Sequence, residues 1–253
     1  MPVLARDGVE LYYETHGSGP ALLLTHGYSA TSQMWRPQFE ALSASHRLIV
    51  WDMRGHGHSS SPEDDAAYSE RLTTADMAAL LEHLGISSAI VGGLSLGGYM
   101  SLAFYADYPE MVEALLIIDT GPGFKKDAAR EAWNRTAMAR ANDIDARGAE
   151  ALEGRSAEQA TAEHRNLRGL VYAARHMLTQ HTPRVIESLP RIGVPTLVMA
   201  GAEDEPFLAA TDYMAAKIPN ARKVIIPNAG HAVNLDQPER FNEAVLAFLD
   251  SLP

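Results

Sequence analysis

The feature that most constrains this chain is a repeated pairing of short, unbroken apolar runs with stretches of helical character. Ala21 to Thr25 (ALLLT) and Leu48 to Trp51 (LIVW) lack the polar alternation of a strand with one solvated face. Strands apolar on both faces belong in a mostly parallel sheet covered by helices, and Met34 to Leu42 between them reads as one such helix. Val9 to Glu14 resembles an early hairpin strand, and further strands are predicted at Ala89 to Gly92, Ala114 to Asp119, Thr196 to Ala200 and Lys223 to Ile226. Helices are predicted at Leu72 to Leu84, Leu96 to Ala106, Leu208 to Lys217 and Pro238 to Leu249. The fold class is therefore α/β, a mostly parallel twisted sheet flanked by helices.

The alternation fails once, from about Pro122 to Pro190, where no strand-like run occurs and Ala, Arg and Glu are frequent. That segment reads as a small helical insertion, dividing the chain into 1–121, 122–190 and 191–253. Between Pro122 and Leu189 it holds 11 Lys and Arg against 9 Asp and Glu, whereas the remainder holds 10 against 23. A basic insertion on an acidic body leaves anionic substrates open. The whole chain carries −11, which argues against a nucleic-acid partner, since phosphate backbones repel acidic proteins.

Zero cysteines exclude disulfides, a cysteine nucleophile and thiolate metal sites, and nothing here calls for an oxidising compartment. No basic-then-apolar leader is present at the start, and no run reaches the roughly 18 apolar residues of a membrane span. A cytoplasmic protein with no membrane partner is expected, with homo-oligomerisation left open.

The sharpest chemical signal is Gly93-Leu94-Ser95-Leu96-Gly97, placed where a predicted strand meets a predicted helix. A serine at such a turn is held in strained backbone with its hydroxyl exposed, and small neighbours let the flanking backbones crowd together. The helix start also offers backbone N–H groups to an oxyanion. Serine needs a base, and His231 follows the predicted strand Lys223 to Ile226, at a sheet's carboxyl edge where functional groups gather. For the acid that orients it, Asp204 follows Thr196 to Ala200, with Glu203 and Glu205 as immediate competitors and Asp119 as a further one. His56 and His58, with Asp52 and His26 nearby in sequence or expected space, raise a metal reading. The further ligands of an HxHxDH pattern are missing, because Ser59 and Ser60 follow His58.

Taken together, these motifs resemble the α/β-hydrolase superfamily, specifically its carboxylesterases and 3-oxoadipate enol-lactonases. Thr25-His26-Gly27-Tyr28 is similar to the family's HG motif, Asp52 to Ser59 to its DxRGxGxS turn, Gly201 to Asp204 to GxxD, and Gly230-His231 to its GH. The resemblance implies an α/β-hydrolase fold with a helical cap, and a triad of Ser95, Asp204 and His231 in the order nucleophile, acid, base. It further implies backbone N–H donors at Tyr28 and Leu96 for the oxyanion, with His26 shaping that loop through hydrogen bonds. Trp133, Tyr172 and Met177 in the cap are candidate substrate contacts, whereas Trp35 and Trp51 read as packing residues.

The implied activity is cleavage of small carboxylic esters or lactones through an acyl-enzyme, with neither cofactor nor metal. Serine at the elbow disfavours haloalkane dehalogenases and epoxide hydrolases, which carry aspartate there. Carbon–carbon bond hydrolases and cofactor-free haloperoxidases share the triad and remain alternatives. So does a ligand receptor with a vestigial triad, a use known for this fold.

Overall fold

A computed structural model describes residues 2–153, 156–160 and 162–253. Eight strands form one sheet: β1 Val3–Arg6, β2 Val9–His16, β3 Ala21–Thr25, β4 Arg47–Trp51, β5 Ala89–Leu94, β6 Val112–Ile118, β7 Thr196–Gly201 and β8 Ala221–Ile226. Their order across the sheet is β1-β2-β4-β3-β5-β6-β7-β8. β1 and β2 run antiparallel to their neighbours, and every pair from β4 to β8 is parallel.

Period-two alternation sends successive residues of the central strands into two separate cores. Leu23, Ile49, Val91, Leu115 and Val198 enter one core, and Leu22, Leu48, Ile90, Leu116 and Leu197 enter the other. Both faces are covered, so the runs are apolar throughout. Helices α2 (Glu70–His83) and α3 (Leu96–Asp107) cover the first core through Met77, Leu81 and Leu102. On the opposite face, α1 (Phe39–Ser43) and the final helix, Pro238–Leu249, contribute Leu42, Phe241, Val245 and Phe248.

Two expectations change here for identifiable reasons. Met34 to Leu42 is not one α-helix but a 3-10 turn, Ser32–Gln38, followed by α1. Pro37 lies inside that turn and has no N–H to give to an α-helical ladder. Strand β1 escaped prediction because its residues lie exposed or half-buried at the sheet edge, without an apolar run.

Between β6 and β7 no strand occurs among the described residues. The chain passes instead through α4 (Asp127–Arg147), α5 (Ala157–Ala160), α6 (Leu167–His176) and α7 (Arg184–Ser188). α4 and α6 bury Ala137, Ala141 and Ile144 with Leu170, Val171 and Ala174 in the first core. α7 packs on α3, and Arg184 donates to Glu70 at 2.7 Å and Asp107 at 2.8 Å. The end of the expected insertion is thus part of the layer flanking the sheet. Among the described residues, no helix is long and apolar enough to cross a membrane.

Candidate active site

Ser95 occupies the single position between β5 and α3, with φ 56° and ψ −118°. That left-handed region costs a non-glycine residue about 1–3 kcal/mol, and the surrounding structure must hold it. It does so through backbone bonds: Ser95 N–H donates to Ile118 O at 2.9 Å, and its carbonyl accepts from the Thr120 hydroxyl at 2.7 Å. The neighbouring glycines are steric necessities. A Cβ on Gly93 would lie 2.5 Å from the Gly97 carbonyl carbon, and one on Gly97 would lie 2.1 Å from Thr25 O. β5, β3 and the start of α3 therefore meet with no room for a side chain, leaving Ser95 half-buried at the apex. The Leu96 N–H opens α3, where no preceding helical turn supplies an acceptor.

His231 and Asp204 come from the loops after β8 and β7. His231 Nδ1 donates to Asp204 Oδ2 at 2.8 Å, so the tautomer of the neutral ring that keeps this bond has its lone pair on Nε2. Asp204 is buried, whereas Glu203 and Glu205 are exposed and make no hydrogen bond to the imidazole. Phe207, in helix α8 (Glu205–Lys217), stacks on the His231 ring with centroids 5.0 Å apart. The two loops are also tied by backbone, since Glu203 N–H donates to Ala229 O at 2.8 Å.

Asp119 is fully buried and serves both loops without touching the imidazole. Its Oδ1 accepts from Gly201 N–H at 2.8 Å and its Oδ2 from Val233 N–H at 3.3 Å. Burial, reinforced by the nearby Asp204 carboxylate, pushes its pKa well above the ordinary range.

The loop after β3 is shaped by His26. Its Nδ1–H donates to Gly27 O at 2.7 Å and its Nε2 accepts from Met53 N–H at 3.0 Å, a pattern only the neutral ring satisfies. Burial lowers its pKa to about 4. The Asp52 to Ser59 turn is likewise structural: Asp52 accepts from Ser32 N–H at 2.7 Å and His58 N–H at 2.8 Å. His58 stands edge-on to Tyr12 rather than joining a ligand set. Among the described residues, no group of three His, Cys, Asp or Glu is placed to hold a metal ion.

His56 and His164 pack beside His26, with ring centroids 5.0 Å (His26 to His56) and 6.0 Å (His56 to His164) apart, and burial lowers both pKa values. A histidine whose native pKa lies below its unfolded value binds protons preferentially when unfolded. Its contribution is complete above about pH 6.5 and is lost as pH falls toward the native value. Urea unfolding midpoints are accordingly expected to drop between pH 6.5 and pH 4, the value of His26. A flat midpoint across that window would contradict the buried neutral cluster.

One cavity of about 590 Å³ is lined by Ser95, Asp204, His231, Tyr28, Trp133 and Arg140, among others. A smaller apolar pocket of about 130 Å³ shares Ser95 and Trp133 with it and adds Leu96, Tyr99 and Phe124. Trp133 faces both, its indole N–H donating to Leu178 O at 2.7 Å. Tyr172 and Met177 line neither. Met177 is wholly buried in the core behind α6, and the Tyr172 ring lies on the outer side, 5.4 Å from Tyr68 and covered by Arg168 at 5.0 Å. Leu178 and Phe207 stand at the cavity instead. The place of Phe207, three residues after Asp204 at the start of a helix, was the available signal.

Comparison with known proteins places this geometry in context. The sequence profile described as the alpha/beta hydrolase family matches residues 22–244. A Bacillus subtilis protein, provisionally named a 2-succinyl-6-hydroxy-2,4-cyclohexadiene-1-carboxylate synthase, is 30% identical over 99% of this chain and 98% of its own. The enol-lactonase from Burkholderia xenovorans is 27% identical with a TM-score of 0.81, covering 99% of this chain and 100% of its own. A thermophilic esterase from Thermogutta terrifontis is 30% identical with a TM-score of 0.82, covering 99% of this chain and 97% of its own.

Proposed function

Because the chain belongs to the alpha/beta hydrolase family, we propose that it is a serine hydrolase of small carboxylic esters or lactones, acting through Ser95, His231 and Asp204. The observation that carries this reading is the His231–Asp204 bond of 2.8 Å, at the cavity that Ser95 lines from its strained turn. The names of the esterase and enol-lactonase relatives support the bond type.

Ser95 Oγ attacks the substrate carbonyl carbon as its proton passes to His231 Nε2, and Asp204 stabilises the imidazolium through Nδ1–H. The carbonyl oxygen becomes an oxyanion that accepts from the Tyr28 and Leu96 N–H groups, where each donor contributes about 10²–10³ in turnover. Collapse expels the alcohol, which takes its proton from Nε2, and leaves the acyl group on Ser95. Water then gives a proton to the same nitrogen, attacks the acyl carbonyl and releases the acid, restoring Ser95. The α4 to α6 segment acts as a cap: Trp133 and Arg140 of α4 line the cavity above Ser95 and thereby select substrates. The reaction calls on no group beyond these side chains and water, and it suits a cytoplasmic enzyme.

The reading is tested with p-nitrophenyl esters of increasing acyl length. Multiple turnovers with an optimum at short chains are expected, because the apolar pocket beside Ser95 holds only about 130 Å³. Absence of turnover across esters and simple lactones would overturn it.

A further inference from the structure

The loop that carries the Tyr28 N–H is held from two sides. From the core, His26 Nδ1–H donates to Gly27 O at 2.7 Å, which sets the plane of the Gly27–Tyr28 peptide and with it the direction of the Tyr28 N–H. The next two peptides are held from the other side. Gln159, in α5, donates from Nε2 to Tyr28 O at 3.1 Å, and His164 donates from Nε2 to Ser29 O at 3.2 Å. The Tyr28 hydroxyl in turn donates to Leu170 O, in α6, at 2.9 Å. These partners lie 131 to 142 positions further along the chain, so the shape of the loop is not a local property.

Ser29 explains why the loop needs such holding. Its φ of 55° lies in the left-handed region, which a serine keeps only where its surroundings impose it. Its own hydroxyl is buried without a hydrogen-bond partner and so cannot supply the restraint. The peptides on its two sides are the ones whose carbonyls Gln159 and His164 hold. His164 is fixed in its turn: its Nδ1 accepts from Gly57 N–H at 3.0 Å, which leaves the ring proton on Nε2 for Ser29 O. The next residue adds a backbone tie, Arg165 N–H donating to Gly57 O at 3.1 Å.

We propose that Gln159 and His164 are positioning residues, which hold the Tyr28 and Ser29 carbonyls and thereby keep the Tyr28 N–H aimed at the oxyanion. The inference rests on the serine hydrolase reading and adds that its oxyanion site is completed by side chains from outside the sheet. When either bond is lost, Ser29 relaxes toward negative φ and the rotation passes to the adjoining Tyr28 peptide. The oxyanion exists only after Ser95 has attacked, so the loss falls on kcat and leaves KM in place.

The test follows turnover of p-nitrophenyl butanoate together with inhibition by propylboronic acid. In the inhibited enzyme Ser95 Oγ bonds to boron, its proton passes to His231, and a charged oxygen lies where the oxyanion forms. His164 lines neither cavity, and His164→Leu is expected to lower kcat by about 10–100-fold with KM unchanged, a misaimed donor costing less than a deleted one. Affinity for the boronic acid should fall by the same factor. Gln159→Leu should act alike and serves where His164→Leu unfolds, and the double variant should lose less than the product of the two, because both bonds hold one loop. His164→Gln, which keeps an N–H for Ser29 O, should recover most of the loss. Asn166→Ala removes the cap on Arg168 N–H at the start of α6 without touching either carbonyl, and it should leave kcat in place. Full kcat in the folded leucine variants, a rise in KM without a fall in kcat, or an equal loss in Asn166→Ala would overturn the inference. Ser95→Ala keeps the two readings apart: turnover that survives it sinks the hydrolase itself, whereas turnover lost there but kept in His164→Leu and Gln159→Leu sinks only the positioning role.

Discussion

Ser95→Ala is expected to abolish ester turnover while leaving a folded protein. In a triad that acts as a unit, removing the serine alone costs about 10⁶-fold in kcat, and what remains comes from oxyanion donors and binding. The fold should survive because the Ser95 hydroxyl makes no hydrogen bond among the described residues: the turn is held by its backbone bonds to Ile118 and Thr120 and by the close glycine contacts. Alanine meets the same φ of 56° with a Cβ of the same size, so the strain is unchanged. Paired kcat and thermal-unfolding measurements decide the matter. A variant that unfolds would show a structural serine, and one that keeps turning over would place the nucleophile elsewhere.

Asp204→Asn is expected to lower kcat by about 10⁴-fold, the scale seen when an asparagine replaces the aspartate of a protease triad and stabilises the wrong imidazole tautomer. The 2.8 Å bond now holds the proton on Nδ1. An amide nitrogen facing Nδ1 would move that proton to Nε2, the atom that must accept from Ser95. Asp119→Asn should cost far less turnover and more stability, because Asp119 receives the Gly201 and Val233 N–H groups and has no bond to the imidazole. An equal loss of kcat at Asp119 and Asp204 would move the acid to the end of β6.

Much of this arrangement is written locally. The unbroken runs of β3 and β4 follow from burial on both faces, and GLSLG at a strand end follows from the crowding of Gly93 and Gly97 against β3. His231 and Asp204 were legible because both lie just past strand ends, a position fixed by local order along the chain. The α4 to α7 segment is harder to read, because contacts there depend on how helices rotate against the sheet. Met177 and Leu178 are adjacent and both buried in the core, yet only Leu178 also lines the cavity, since the chain leaves α6 between His176 and Leu178. Glu158 lies in a four-residue helix with no periodic signal, so its burial is set by tertiary packing alone. Pro37 was visible in the sequence, and its missing N–H should have broken the helix expected over Met34 to Leu42.

The most direct measurement is the site of covalent attack, read by peptide mass spectrometry after reaction with a fluorophosphonate that traps activated serines. The account predicts one adduct, on the peptide that contains Ser95, formed far more slowly in His231→Ala. No adduct, or an adduct on another residue with Ser95 unmodified, would contradict it.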